Sequence, residues 1–75
     1  MKELVEYIVK SIVAEPDKVS ITEENTDAGL VLKLEVAPDD KGRVIGKQGR
    51  VAEAMRTLLR VKGAKEEIRV RLEIV

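Results

Sequence analysis

The chain is 75 residues long, 44% hydrophobic and 37% charged, which leaves room for one domain with one core and is too apolar for a disordered tail. It has no cysteine and no histidine, so disulfides, thiolate metal sites, redox chemistry and Ser-His or Cys-His catalysis are excluded, and neither an enzyme nor a metal or cofactor protein is expected. Net charge is zero, yet residues 1–40 hold four basic residues against ten acidic ones, and residues 41–62 hold seven basic residues against Glu53 alone. A chain polarised in this way can offer one patch to phosphates while the rest repels them, and a solvated, salt-laced helix face is the other reading.

From Lys2 to Ala14, Leu4, Val5, Ile8 and Ile12 recur at helical spacing and Pro16 closes the segment, which predicts an amphipathic helix. Glu3, Glu6 and Lys10 interrupt its apolar residues, so no signal peptide or membrane span is expected and the protein should stay in the cytoplasm. Val19 and Ile21 alternate with polar neighbours, a turn follows around Asn25–Gly29, and Leu30, Leu32, Leu34 and Val36 alternate again, which predicts a two-stranded hairpin. Pro38-Asp39-Asp40 ends the second strand and offers carboxylates as N-caps for a short helix that runs to about Ile45 and breaks at Gly46.

From Arg50 to Val61 a helical pattern sets Val51, Met55, Leu58 and Leu59 on one side and Arg50, Glu53, Arg56 and Arg60 on the other. Gly63 reads as the stop. Ile68, Val70, Leu72 and Ile74 then alternate with Arg69, Arg71 and Glu73 in a final strand. The predicted order is α-β-β-α-α-β, an α+β fold, with the whole of 1–75 as one domain.

The informative stretch is Gly42-Arg43-Val44-Ile45-Gly46-Lys47-Gln48-Gly49-Arg50: a helix end, a glycine-bounded loop and a helix start. Glycines at both ends suit a backbone that lies close to something else. The helix N-terminus near Arg50 presents free N–H groups and a positive dipole end, which favour an anionic oxygen. Lys47 and Arg50 add charge beside it, and Arg43 and Lys41 extend that field. A Walker A loop needs four residues between its glycines and a hydroxyl after the lysine, whereas three residues separate Gly42 from Gly46 and Gln48 follows Lys47. No G-x-G-x-x-G run follows a strand either, so nucleotide cofactors and other small-molecule substrates are not expected.

With its hydrophobic pair, its basic residues and helices on both sides, Val44-Ile45-Gly46-Lys47-Gln48-Gly49-Arg50 resembles the GxxG loop of a KH domain, and the element order resembles the bacterial type II form. The likeness covers nearly the whole chain and extends to the bacterial KH-domain protein A family, small RNA-binding proteins. That resemblance implies a three-stranded mixed sheet covered by helices on one face, and a cleft for about four nucleotides of single-stranded RNA. Gly46, Lys47, Gln48 and Gly49 would clamp the backbone. Gly42 would leave a bare surface one turn earlier, with Lys41, Arg43 and Arg50 nearby as charge. Val44, Ile45, Val51, Ile68 and Val70 are candidates for the apolar floor, but ordinary core packing is the favoured reading of each, because periodicity already explains it. The resemblance further implies RNA chaperone or regulatory work with a larger KH-containing protein, in cell-wall homeostasis and cell-length control.

Other features have plainer readings. Tyr7 is the only aromatic residue and should pack rather than stack on a base. Asp39 and Asp40 should cap a helix rather than act as an acid-base pair. Arg69 and Arg71 should solubilise a sheet face, while Arg56 and Arg60 stand open between a phosphate rail and an ion network with Glu53. One small cleft without aromatic stacking should bind weakly, so a homodimer or a pairing with a second KH protein is expected to supply avidity. A protein-binding adaptor and a single-stranded DNA binder are the alternative readings.

Overall fold

The computed structural model describes residues 1–75. Helix α1 spans Lys2–Ile12, strands β1 and β2 span Ser20–Thr26 and Gly29–Glu35, and helices α2 and α3 span Lys41–Ile45 and Arg50–Lys65. Strand β3, Val70–Ile74, completes the α-β-β-α-α-β order. Single 3₁₀ turns occupy Pro16–Lys18, Pro38–Asp40 and Lys47–Gly49.

The sheet is mixed, in the order β1-β2-β3, with β1 antiparallel and β3 parallel to the central β2. Register sets Leu32 opposite Leu72 and Leu34 opposite Ile21, so one face of the sheet carries the leucines. Val5 and Val9 of α1, Val44 of α2, and Met55 and Leu59 of α3 close over that face as one apolar cluster. On the opposite face Lys33 and Glu24 form an ion pair of 3.1 Å in the open. All helices therefore lie on one side.

In α1, Val5 and Val9 are buried and Tyr7, half a turn away, is 76% exposed. The expectation that its ring packs is corrected: the helical period aims position 7 at solvent when positions 5 and 9 face the sheet. Strand β1 is longer than its apolar pattern, because beyond Ile21 the edge strand is exposed and polar, as suits an unpaired edge. The hairpin turn is also tighter than expected, only Asp27 and Ala28. The Thr26 hydroxyl closes it by accepting from the Ala28 N–H at 3.2 Å and donating to the Gly29 carbonyl at 3.0 Å.

Two local assignments change with the tertiary structure. Asp40 makes no capping bond to its own helix. Its carboxylate, almost wholly buried, accepts the N–H groups of Ala14 and Glu15 at 3.0 and 3.1 Å. It ties α2 to the chain after α1, across 25 residues of sequence. Gly63 is likewise no stop but a buried residue inside α3, placed where a side chain would strike the Ile68 carbonyl and Val70. The helix ends two residues later, at Lys65. There the Ile68 N–H returns to the Gly63 carbonyl at 2.8 Å and the Glu67 N–H to Ala64 at 3.3 Å, with Glu67 left-handed at φ 58°. This pair of bonds is a Schellman stop with a glutamate in the position glycine usually fills.

Candidate nucleic-acid interface

Helix α2 ends at Gly46, whose φ of 77° and ψ of 175° turn the chain sharply outward. A Cβ there would run into the side chain of Val51 and stand 2.9 Å from its backbone nitrogen, so only glycine fits. Lys47 and Gln48 form the tip, Gln48 with left-handed dihedrals, and the Gly49 N–H returns to the Gly46 carbonyl at 3.2 Å. Gly49, also left-handed, leads directly into α3, and no side chain caps that helix. The Arg50 N–H donates to the Lys47 carbonyl, and the positive end of the α3 dipole lies beside the loop.

Of the predicted contact residues, Lys41, Gly42, Arg43, Lys47, Gln48 and Arg50 are exposed, Ile45 is 40% exposed, and Gly46 and Gly49 are partly buried. Val44 is fully buried in the core cluster. Its place is the packing that anchors α2, and not a surface that a base would touch. Gly42 has nothing within 4 Å of where a Cβ would stand, so its bareness answers no internal packing need. Arg43 Nε faces Asp40 at 3.6 Å while most of the side chain stays exposed.

The other six basic residues of 41–62 form no ion pair with any carboxylate. That includes Arg56 and Arg60, for which the sequence left an ion network with Glu53 open: no such pair forms, and the two guanidinium groups stand free one helical turn apart. The structure also gathers residues that the sequence kept apart. Arg56 and Arg60 of α3 and residues 70–75 at the C-terminal strand line one groove of about 660 Å³ that follows the helix away from the loop, with Glu73 the one acidic side chain in it. The signal for it was the run of arginines in two elements, which only the fold brings face to face.

The groove's far wall is a free sheet edge. The Arg69 carbonyl accepts from Leu30 N–H at 2.7 Å and the Val75 N–H donates to the Leu34 carbonyl at 2.9 Å. Odd-numbered residues of this strand thus bond to β2, and the backbone groups of Val70, Leu72 and Ile74 point out along the open edge. The groove thus brings together the arginines of the helix, a lining more polar than apolar, and free backbone donors and acceptors along the strand edge.

Fold and loop together define a KH domain of the type II order, in which a GxxG loop joins two helices beside a mixed sheet. The chain belongs to the KhpA/KhpB KH-domain family, whose model matches residues 2–74. It is 52% identical over 75 residues to RNA-binding protein KhpA of Listeria monocytogenes, covering 100% of this chain and 99% of that protein. Its identity to RNA-binding protein KhpA of Clostridium acetobutylicum is 48%, with both chains covered completely. The protein of the same name from Aquifex aeolicus is 45% identical and 95% covered. No solved structure matches the chain.

Proposed function

We propose that the whole chain acts as one RNA-binding domain that holds a short single-stranded RNA in the groove between α3 and β3, with the backbone clamped at Gly46–Gly49. The observation that carries this reading is the loop itself. A glycine-only turn delivers an unpaired Lys47 and the uncapped first turn of α3 to one spot, an arrangement suited to phosphate oxygens. The name shared by its relatives, RNA-binding protein, agrees. Gly42, Lys41, Arg43 and Arg50 flank the clamp and Ile45 supports the bases.

The domain works as a chaperone or post-transcriptional regulator and not as an enzyme, in the cytoplasm. It pairs with a second copy or with a larger KH-containing protein, and serves cell-wall homeostasis and control of cell length. Leu58 and Val61, about half exposed on the side of α3 away from the groove, favour a protein contact in addition to the RNA.

The test is fluorescence anisotropy of labelled single-stranded RNA at two salt concentrations, with the Lys47→Asp, Gln48→Asp double variant alongside and an unlabelled DNA oligomer as competitor. Salt-sensitive binding that the variant loses, with its circular dichroism unchanged, is the expected result. Binding that survives in the variant would sink the clamp, and preferential competition by DNA would assign the groove to that ligand.

A further inference from the structure

Beyond the groove, at the end of α3 opposite the loop, lies a cavity of about 560 Å³. It shares Arg60, Val70 and Arg71 with the groove and adds Ala28, Ala64, Ile68 and Arg69. Arg50 to Ala64 is fourteen residues, about 21 Å along a helix axis, so a chain leaving the clamp along α3 passes Arg56 before it enters this space. We propose that the cavity is a subsite for a further nucleobase of the same RNA, which would make the bound stretch longer than the four nucleotides a GxxG loop clamps. The proposal rests on the RNA-binding reading above.

Its chemistry fits that occupant. The floor is apolar, three arginines stand around it and no acidic residue lines it. Arg60 and Arg69 have no carboxylate partner, and Arg71 only faces Glu73 at 3.8 Å. In a chain without an aromatic residue at the groove, guanidinium planes are the groups able to stack on a base, and they pair with phosphates as well. The backbone N–H and carbonyl of Val70 lie on the open sheet edge beside it, available to the polar edge of a base. Ile68, 41% exposed, thereby gains a role that core packing does not give it.

The site is also preformed. The Schellman bonds fix the chain from Gly63 to Ile68, and Gly63 lets the Ile68 carbonyl sit directly on α3. The Leu30 N–H holds the Arg69 carbonyl. Little ordering is left to oppose binding, and the volume lies within the range of ordinary small-ligand pockets.

The experiment compares affinities for single-base RNA oligomers of four, six and eight nucleotides. Hexamers in which the two nucleotides at either end are abasic keep the phosphates and remove the bases, and an Ala64→Leu variant fills the cavity from an exposed helical position. The expected result is a gain of about tenfold from four to six nucleotides, the size of one stacked base. Abasic sugars at one end only should abolish that gain, and so should Ala64→Leu, with tetramer affinity unchanged. A hexamer no tighter than the tetramer, a gain kept by both abasic hexamers, or a gain kept by Ala64→Leu would each overturn the subsite while the clamp stands. Failure of every oligomer to bind, or equal binding by the Lys47→Asp, Gln48→Asp variant, would overturn the RNA reading and the subsite with it.

Discussion

Gly42 is the residue at which the proposed RNA clamp can be tested apart from folding. It lies inside α2 with open space where a Cβ would be, so Gly42→Ala should raise stability by about 1 kcal/mol through helix propensity alone. On the proposed mode of binding the added methyl stands in the path of the RNA backbone and should weaken binding. Thermal unfolding and anisotropy on one sample check both signs, and a variant that is stabilised and binds as before would remove Gly42 from the interface. Gly46→Ala should do the reverse, costing about 1–3 kcal/mol because its dihedrals suit glycine and the methyl meets Val51. Asp40→Ala should lose about 1–3 kcal/mol in denaturant titration, since two amides lose their acceptor. The neighbouring exposed Asp39→Ala should stay within about 0.5 kcal/mol of the parent. An equal effect of the two aspartates would contradict the buried tie.

At the scale of elements, the stop of α3 carries strain that the chain can shed. Glu67 holds φ at 58°, and left-handed backbone costs a residue with a Cβ roughly 1 kcal/mol that glycine avoids. Glu67→Gly should therefore raise the unfolding midpoint by the equivalent of about 0.5–1 kcal/mol, offset in part by the freer unfolded chain. The same stop shows what could be read in advance. The order of elements, the leucine face of β2 and the glycine loop were all legible, because period and turn chemistry are local properties of the sequence. Gly63 and Asp40 were not. The first is glycine because Ile68 and Val70 return against it, and the second is buried because Ala14 and Glu15 reach it from the far side of the hairpin. Ile68 and Val70 are near in sequence but meet Gly63 only through the chain reversal after α3, and Ala14 and Glu15 lie 26 and 25 residues from Asp40, so periodicity marks neither contact. The groove was out of reach for the same reason, since its arginines sit on a helix and a strand that only the parallel pairing of β2 and β3 sets side by side.

At the scale of the molecule, zero net charge hides an electrostatic division of labour. The unpaired cations of 41–62 lie at the start of α2, on the loop and along α3, while the acidic residues of β1 line the opposite edge of the sheet. Binding should weaken with salt in proportion to the phosphates engaged, about 0.7 in the log-log slope for each contact to a single strand. Arg56→Ala should lower that slope by about one such step without changing the fold, and an unchanged slope would take Arg56 out of the rail. Asp40 also makes the molecule report on itself. The amide protons it holds belong to Ala14 and Glu15, which lie outside any helix or strand and have no backbone acceptor, so the Asp40 carboxylate is their one hydrogen-bond partner. Their hydrogen-exchange rates should follow the detachment of α2 from the body of the protein and, in a titration with RNA, time how long the clamp stays docked once it is loaded.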